Sequence, residues 1–281
     1  MPVRLDRFED ATPNLSARGF RERLAAGESV VGLWVVSGSP TAAEIIGSCG
    51  ADWIIIDAEH SPNTVTDIVT QLRALTGSSA LVVVRAPSKD PLELGRLLDA
   101  GARGLMVPMV ESAAEAHAVV AATRYPPRGR RGVGGGFARA TRWTGISDYL
   151  SRAEQSLSLI VQIESLAGIG ALEEILAVDG VDGVFFGPAD LAASLGHMGE
   201  PRHPDVQSTI DAAIRTTVRA GGIAGVNAFA VDDALRYRAA GAQLLAVGAD
   251  VTLLAGAGAD LIARFAPVDA ASPATQMKDR A

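Results

Sequence analysis

The residues of this chain that could do chemistry sit at the ends of apolar runs. Glu164 closes LIVQIE, and Asp190 follows VFFGPA. Two converging carboxylates, completed by water and a chelating substrate, suit a hard divalent cation such as Mg2+ or Mn2+. Zinc would prefer imidazole and thiolate, and the chain offers only His60, His117, His197, His203 and a single cysteine. The competing reading makes one carboxylate a helix cap and the other an arginine partner. Asp57-Ala58-Glu59-His60 ends a second run, and Arg85 ends a third, LVVVR. Histidine titrates near neutrality, so His60 suits a general base once a carboxylate fixes its tautomer; otherwise it is a surface or capping residue. Arg85 carries a planar fork that matches a carboxylate or a developing enolate; the alternative is a salt bridge to Asp57 or Glu59. Gln162 and Asn227 place amides at two further run ends. Asp99, in LGRLLDAGA, reads by itself as a solvated helix-end residue.

These side chains need a scaffold that brings the run ends together. The apolar runs are Val30 to Val36, Trp53 to Asp57, Leu81 to Arg85, Gly104 to Pro108, Leu159 to Glu164, Gly183 to Gly187, Ile223 to Asn227 and Leu244 to Gly248. They are apolar nearly throughout instead of alternating, as strands of a parallel sheet buried on both faces must be. Helix-like stretches separate them. Ser39-Pro40 and Asp90-Pro91 read as N-caps followed by proline at the first helical position. Ser112 and Glu115 have capping-box spacing, and Gly101 and Gly241 suit left-handed C-caps. Eight βα repeats without a linker predict one (β/α)8 TIM barrel over residues 16–266, in which polar residues at the C-terminal strand ends are the catalytic candidates. An open doubly wound sheet would want a dinucleotide fingerprint after an early strand, and none is present. Residues 1–15 read as an extension and 267–281 as a disordered tail. The stretch from Arg124 to Trp143 is a long, basic, glycine-rich connection, a length that is usually functional or interfacial.

Composition narrows the function classes. The 281 residues are 48% hydrophobic and 20% charged, with a net charge of −7. That supports a large core and argues against nucleic acid or an anionic membrane as main partner. The arginines at 124, 128, 130, 131, 139 and 142 lack the interleaved aromatics of a nucleic-acid platform. Cys49 excludes an intrachain disulfide and is expected to be a buried packing residue. The first residues lack an apolar signal core, and no apolar run reaches the roughly 20 residues of a membrane span, so a cytoplasmic protein is expected.

The strings GLWVVSGSP, WIIIDAEH, VVVRAP, LLDAGARGLMVPMV, ATRYPPRGRRGVG, LIVQIES and VDGVFFGPADL resemble the HpcH/HpaI aldolase family of class II, metal-dependent pyruvate aldolases. The ordered set DAEH, QIE and GPADL is its most specific part. The resemblance implies a TIM barrel assembled as a hexamer, a trimer of dimers, with the last helix exchanged between paired subunits. It implies a Mg2+, Mn2+ or Co2+ ion and a reversible retro-aldol reaction. A 4-hydroxy-2-oxo acid would give pyruvate and an aldehyde through a metal-bound pyruvate enolate. On the same likeness Glu164 and Asp190 are the metal ligands, with Asp190 also beside the substrate. Gln162 and the backbone of Ala189 hold the pyruvate carboxylate or keto oxygen. Arg85 stabilises the enolate, His60 accepts the proton directly or through water, and Asp99 raises the basicity of His60. Asn227 stands where the family carries an apolar residue, which makes it, with Asp57, a candidate for specificity.

The chemistry is consistent with that assignment. Breaking a carbon–carbon bond beside a ketone generates an enolate, whose oxygen needs an electrophile. Arg85 adds fixed positive charge where negative charge develops. No lysine ends a strand, which disfavours a Schiff-base aldolase. Two other readings stay open. One is a related lyase acting on a keto-deoxy sugar acid or a CoA thioester, whose anionic distal group would meet the basic 124–143 stretch. The other is a non-catalytic metal-binding barrel.

Overall fold

The computed structural model describes residues 22–24 and 26–265, so the expected extension and tail lie outside the described residues. In chain order the elements are β1 (Val30–Val35), α1 (Pro40–Gly47), β2 (Trp53–Asp57), α2 (Val65–Ala74), β3 (Leu81–Arg85), α3 (Pro91–Ala100), β4 (Gly104–Val107), α4 (Ala113–Thr123), α5 (Tyr149–Arg152), β5 (Ser158–Ile163), α6 (Leu166–Gly170), α7 (Leu172–Leu176), β6 (Gly183–Phe186), α8 (Pro188–Ser194), α9 (Pro204–Arg219), β7 (Ile223–Asn227), α10 (Val231–Ala240), β8 (Leu244–Ala249) and α11 (Asp250–Ala263). The strands form a closed barrel in sequence order, each parallel to its neighbours.

The apolar strands serve two cores at once. Trp34, Trp53, Ile55, Val83, Met106, Ile160 and Phe185 point inward and fill the barrel. Their neighbours Ile54, Ile56, Val82, Val84, Leu105, Val161 and Phe186 point outward under the helices. Successive strand side chains face opposite sides, so a strand covered on both must be apolar at every position. Space inside is made by glycine. A Cβ on Gly32 would lie 2.4 Å from Trp53 Nε1, and one on Gly225 would lie 2.6 Å from Phe185 Cδ2.

The caps follow the sequence, with one shift. Ser39 and Asp90 accept first-turn N–H bonds ahead of proline, and Gly101 and Gly241 close α3 and α10 in the left-handed region at φ 102° and 111°. Ser112 accepts from Glu115 N at 3.2 Å, but the Glu115 carboxylate reaches Glu111 N at 2.8 Å instead of closing the box. Lys89 Nζ, 2.7 Å from the other Glu115 oxygen, draws it there.

Two expectations are corrected. Cys49 is exposed, because the small-residue run ends just past α1 on its outer side; its thiol donates to Ile45 O at 3.3 Å. The 124–143 stretch joins α4 to β5 and therefore lies at the N-terminal end of the barrel, away from the strand ends that carry the chemistry. Its arginines are largely spent on fastening it: Arg124 pairs with Glu154 at 2.9 Å and Asp179 at 2.8 Å. The motive for a distal-group contact within one chain disappears with that placement. α11 leaves the barrel with apolar side chains uncovered, Leu254 at 77% and Ile262 at 72% exposure, and Phe265 just past its end is 81% exposed. No described helix is long and apolar enough to cross a membrane.

Candidate active site

Adjacent strands place Asp57 beside Arg85 in register. Arg85 donates from Nε to Asp57 Oδ1 and from Nη2 to Asp57 Oδ2, both at 2.7 Å, so the pair is bidentate and buried. Its third nitrogen, Nη1, lies 3.0 Å from Glu59 Oε2. The salt-bridge alternative for Arg85 is therefore realised with both partners. The same guanidinium lies over the Trp34 ring, 4.4 Å from its centroid. Trp34 Nε1 donates to Asn227 Oδ1 at 3.0 Å. A chain of contacts thus runs from β2 through β3 and β1 to β7 and fixes the floor of the site. Asp250 braces the β1 end by accepting from Val36 N at 2.9 Å and Ser37 N at 3.2 Å.

Glu164 follows β5 and is 3% exposed. Asp190 approaches it from the first turn of α8: a Cβ on Gly187 between them would lie 3.4 Å from Glu164 Cδ and 3.6 Å from Asp190 Oδ2. Burial, then the neighbouring charges of Asp190 and Glu59, push the Glu164 carboxyl up to about 8. Glu59 is also raised, chiefly by burial, although Arg85 opposes the shift. Gly187 makes the approach possible, since a Cβ there would sit 3.1 Å from Glu164 Cγ. Glu164 Oε1 and Gln162 Oε1 are both buried without a hydrogen-bond partner among the described residues. Orphaned buried oxygens are uncommon and call for a ligand. Two facing carboxylates, one of them buried and raised, are the donor set on which a hard divalent ion would relieve the charge repulsion. The residues therefore fit the metal that the sequence suggests. Ala189 and Asp190 are first-turn residues of α8 and their N–H groups have no helical acceptor.

Not every candidate joins this cluster. His60 stands at the rim, its side chain 66% exposed and its Nε2 3.9 Å from Glu59 Oε1. Asp99 lies in the last turn of α3, which returns from the C-terminal end of β3 to the N-terminal end of β4, so it occupies the opposite end of the barrel from His60. It binds Arg131 Nη2 at 2.7 Å. One chain therefore does not bring Asp99 to His60. Among the described residues His197, His203 and Asp205 also bring three donors together, but the two imidazoles are stacked at 3.5 Å and 14°. Parallel rings that close cannot both aim an in-plane lone pair at one ion.

Sequence reasoning passed over Trp34 and Asp250 and treated Glu59 only as a salt-bridge partner. Trp34 shares its inward parity with Gly32, and a tryptophan two residues from a glycine in an inward row is the signal that was available. The reach of Asp250 back to Val36 N has no local signal.

The fold and the strand-end cluster define a (β/α)8-barrel enzyme. Residues 30–257 match the family described as HpcH/HpaI aldolase/citrate lyase. The chain is 46% identical to a 4-hydroxy-2-oxo-heptane-1,7-dioate aldolase of Klebsiella pneumoniae, over 88% of this chain and 93% of that one. It is 47% identical to a hydroxypyruvate/pyruvate aldolase of Roseovarius nubinhibens, over 88% of this chain and 96% of the other. A crystal structure of a family protein from Burkholderia cenocepacia superposes with a TM-score of 0.84 at 41% identity, covering 88% of this chain and 98% of that one. The chain belongs to the HpcH/HpaI aldolase/citrate lyase family, and it is a carbon–carbon lyase of the aldolase type.

Proposed function

We propose that this protein is a divalent-metal-dependent pyruvate aldolase that cleaves a 4-hydroxy-2-oxo acid to pyruvate and an aldehyde and runs the reverse condensation. The observation that carries the reading is the buried Glu164 carboxyl facing the exposed Asp190, with orphaned oxygens on Glu164 and Gln162 and a fixed arginine alongside. The names of two relatives, an aldolase for 4-hydroxy-2-oxo-heptane-1,7-dioate and one for hydroxypyruvate and pyruvate, support the same substrate class.

A divalent cation held by Glu164 and Asp190 would supply Lewis acidity for the keto oxygen. The chain's own residues supply the rest. The Gln162 amide and the Ala189 N–H are donors for the 2-oxo acid end of the substrate. Arg85, locked by Asp57 and Glu59, keeps positive charge in place as the enolate forms, without reorganising at the moment of reaction. His60 receives the 4-hydroxyl proton as the bond to the aldehyde carbon breaks and returns a proton in the condensation. The Asp99–His60 relation expected from the sequence would have to form between copies, since each chain holds the two residues at opposite barrel ends. The uncovered apolar side chains of α11 support assembly with further copies, in keeping with the exchanged helix and hexamer that the resemblance implies.

Purified protein given a panel of 4-hydroxy-2-oxo acids should release pyruvate, lose that activity in EDTA and regain it with Mg2+, Mn2+ or Co2+. Full turnover in excess EDTA would sink the proposal. Catalysis of solvent exchange at the pyruvate methyl protons separates an aldolase from a barrel that only binds metal.

Asn227 is the proposed specificity position. Its Oδ1 is occupied by Trp34, which leaves its amide N–H groups for the substrate. Asn227→Ala should strand the indole N–H of a nearly buried tryptophan, at about 1–2 kcal/mol in a urea titration. It should also change the ranking of aldehydes in the condensation while leaving KM for pyruvate nearly unchanged. An unaltered aldehyde ranking would confine Asn227 to holding Trp34.

A further inference from the structure

The basic connection takes no part in the chemistry above, yet it helps to build a second cavity at the N-terminal end of the barrel. The cavity measures about 130 Å³ and lies between the ends of α2 and α3, the 139–142 segment, α5 and the residues that lead into β4 and β5. Leu75, Leu98 and Leu157 form its apolar side, and Arg103, Arg131, Arg139 and Arg142 its polar side. None of its lining residues carries a carboxylate.

The arginines are built into place. Gly101 is left-handed at φ 102°, and a Cβ there would lie 2.6 Å from Arg139 Nη1. That nitrogen occupies the space and donates to Ala100 O at 2.9 Å. Arg131 is 5% exposed; it binds Asp99, yet its Nε has no hydrogen-bond partner among the described residues. Burial, followed by Arg142 and Arg139, lowers the Arg103 guanidinium to about 10 against the opposing pull of the cavity-lining Tyr149; burial and then Arg142 lower Arg139 to about 10. Like charges gathered around a partly dry cavity are costly unless an anion joins them. A cavity of similar size with apolar walls takes up a benzene-sized body, and the guanidinium fork matches a carboxylate.

We propose that this cavity, at the opposite end of the barrel from Glu164 and Asp190, binds a small carboxylate with an apolar body, the ring or chain against the leucines and the carboxylate on Arg103, Arg139 and Arg142. The inference is independent of the reaction proposed above. Free phosphate shares the charge of such a ligand and lacks its apolar part; an uncharged aromatic shares the apolar part alone.

Isothermal titration of the full chain with benzoate, benzyl alcohol and inorganic phosphate tests it. Benzoate should bind one per chain and at least about tenfold more tightly than either of the others, the loss expected for a missing charged hydrogen bond. Arg103→Gln and Arg142→Gln should each weaken benzoate by about tenfold or more. Wild-type binding needs no variant to fold, so the three-ligand comparison stands by itself. The proposal fails if benzoate does not bind the wild type, if phosphate binds as tightly, or if Arg103→Gln and Arg142→Gln both retain full affinity for benzoate.

Discussion

Arg85→Ala should lower the stability of the protein by about 3–5 kcal/mol and its turnover by about 10²- to 10³-fold. The stability loss comes from what is left behind. Asp57 is 1% exposed, and both of its oxygens are held by Arg85 at 2.7 Å. Without the guanidinium that carboxylate is buried without its counter-charge, and Glu59 loses its partner at 3.0 Å. The Trp34 ring also loses the cation over its face. Urea unfolding with a fixed slope reads the loss directly. Asp57→Asn in the Arg85→Ala background should recover part of the stability, since it removes the stranded charge, and none of the turnover. The non-additivity of that cycle measures the pair. If Arg85→Ala unfolded at the wild-type urea midpoint, Arg85 would not be a buried structural partner. If it retained full turnover, it would have no place in the reaction.

Glu164→Gln is expected to act in opposite directions on activity and on metal-free stability. Turnover should fall on the order of 10³-fold or more, because a carboxylate ligand and several kcal/mol of charge stabilisation go with it. Stability is governed by the proton. In the folded chain burial and the nearby Asp190 raise Glu164 from an ordinary 4.5 to about 8. Between those values the folded state holds a proton that the unfolded state has released. The associated stabilisation is complete below pH 4.5 and is lost as pH rises through 8. Thermal melts of the chelated protein should therefore show a Tm that declines across that window. Glu164→Gln should flatten the decline and melt above the wild type at its alkaline end. A saturating divalent cation should flatten it for the wild type, since it takes the proton's place and adds its own binding free energy. A wild-type Tm that rises through the same window in EDTA would contradict a raised Glu164.

The strands were readable because their constraint is local. A parallel strand buried on both faces must be apolar residue by residue, so β2, β3 and β7 run as read, β5 is shifted by one residue at both ends, and the others differ by one residue at one end. Ser39, Asp90, Gly101 and Gly241 were readable for the same reason, since each satisfies groups within a turn of itself. Glu115 was misread by one residue because Lys89, in the loop between β3 and α3, competes for its carboxylate. Cys49 was misread because a run of small residues does not say which side of its helix end faces the barrel.

The site divides along the same line. Sequence by itself determined that Asp57, Arg85, Gln162, Glu164, Asp190 and Asn227 would stand at one end of a closed barrel, because a strand end in a βα repeat has only one place to be. Tertiary structure decided what they do to one another. It gave Arg85 to Asp57 and Glu59, spent Asn227 on Trp34, pressed Glu164 against Asp190 across the gap left by Gly187, and sent Asp99 to the other end to meet Arg131. Those outcomes depend on distances between residues far apart in the chain and on how much water reaches them. Both properties belong to the packed barrel and to no single segment of it.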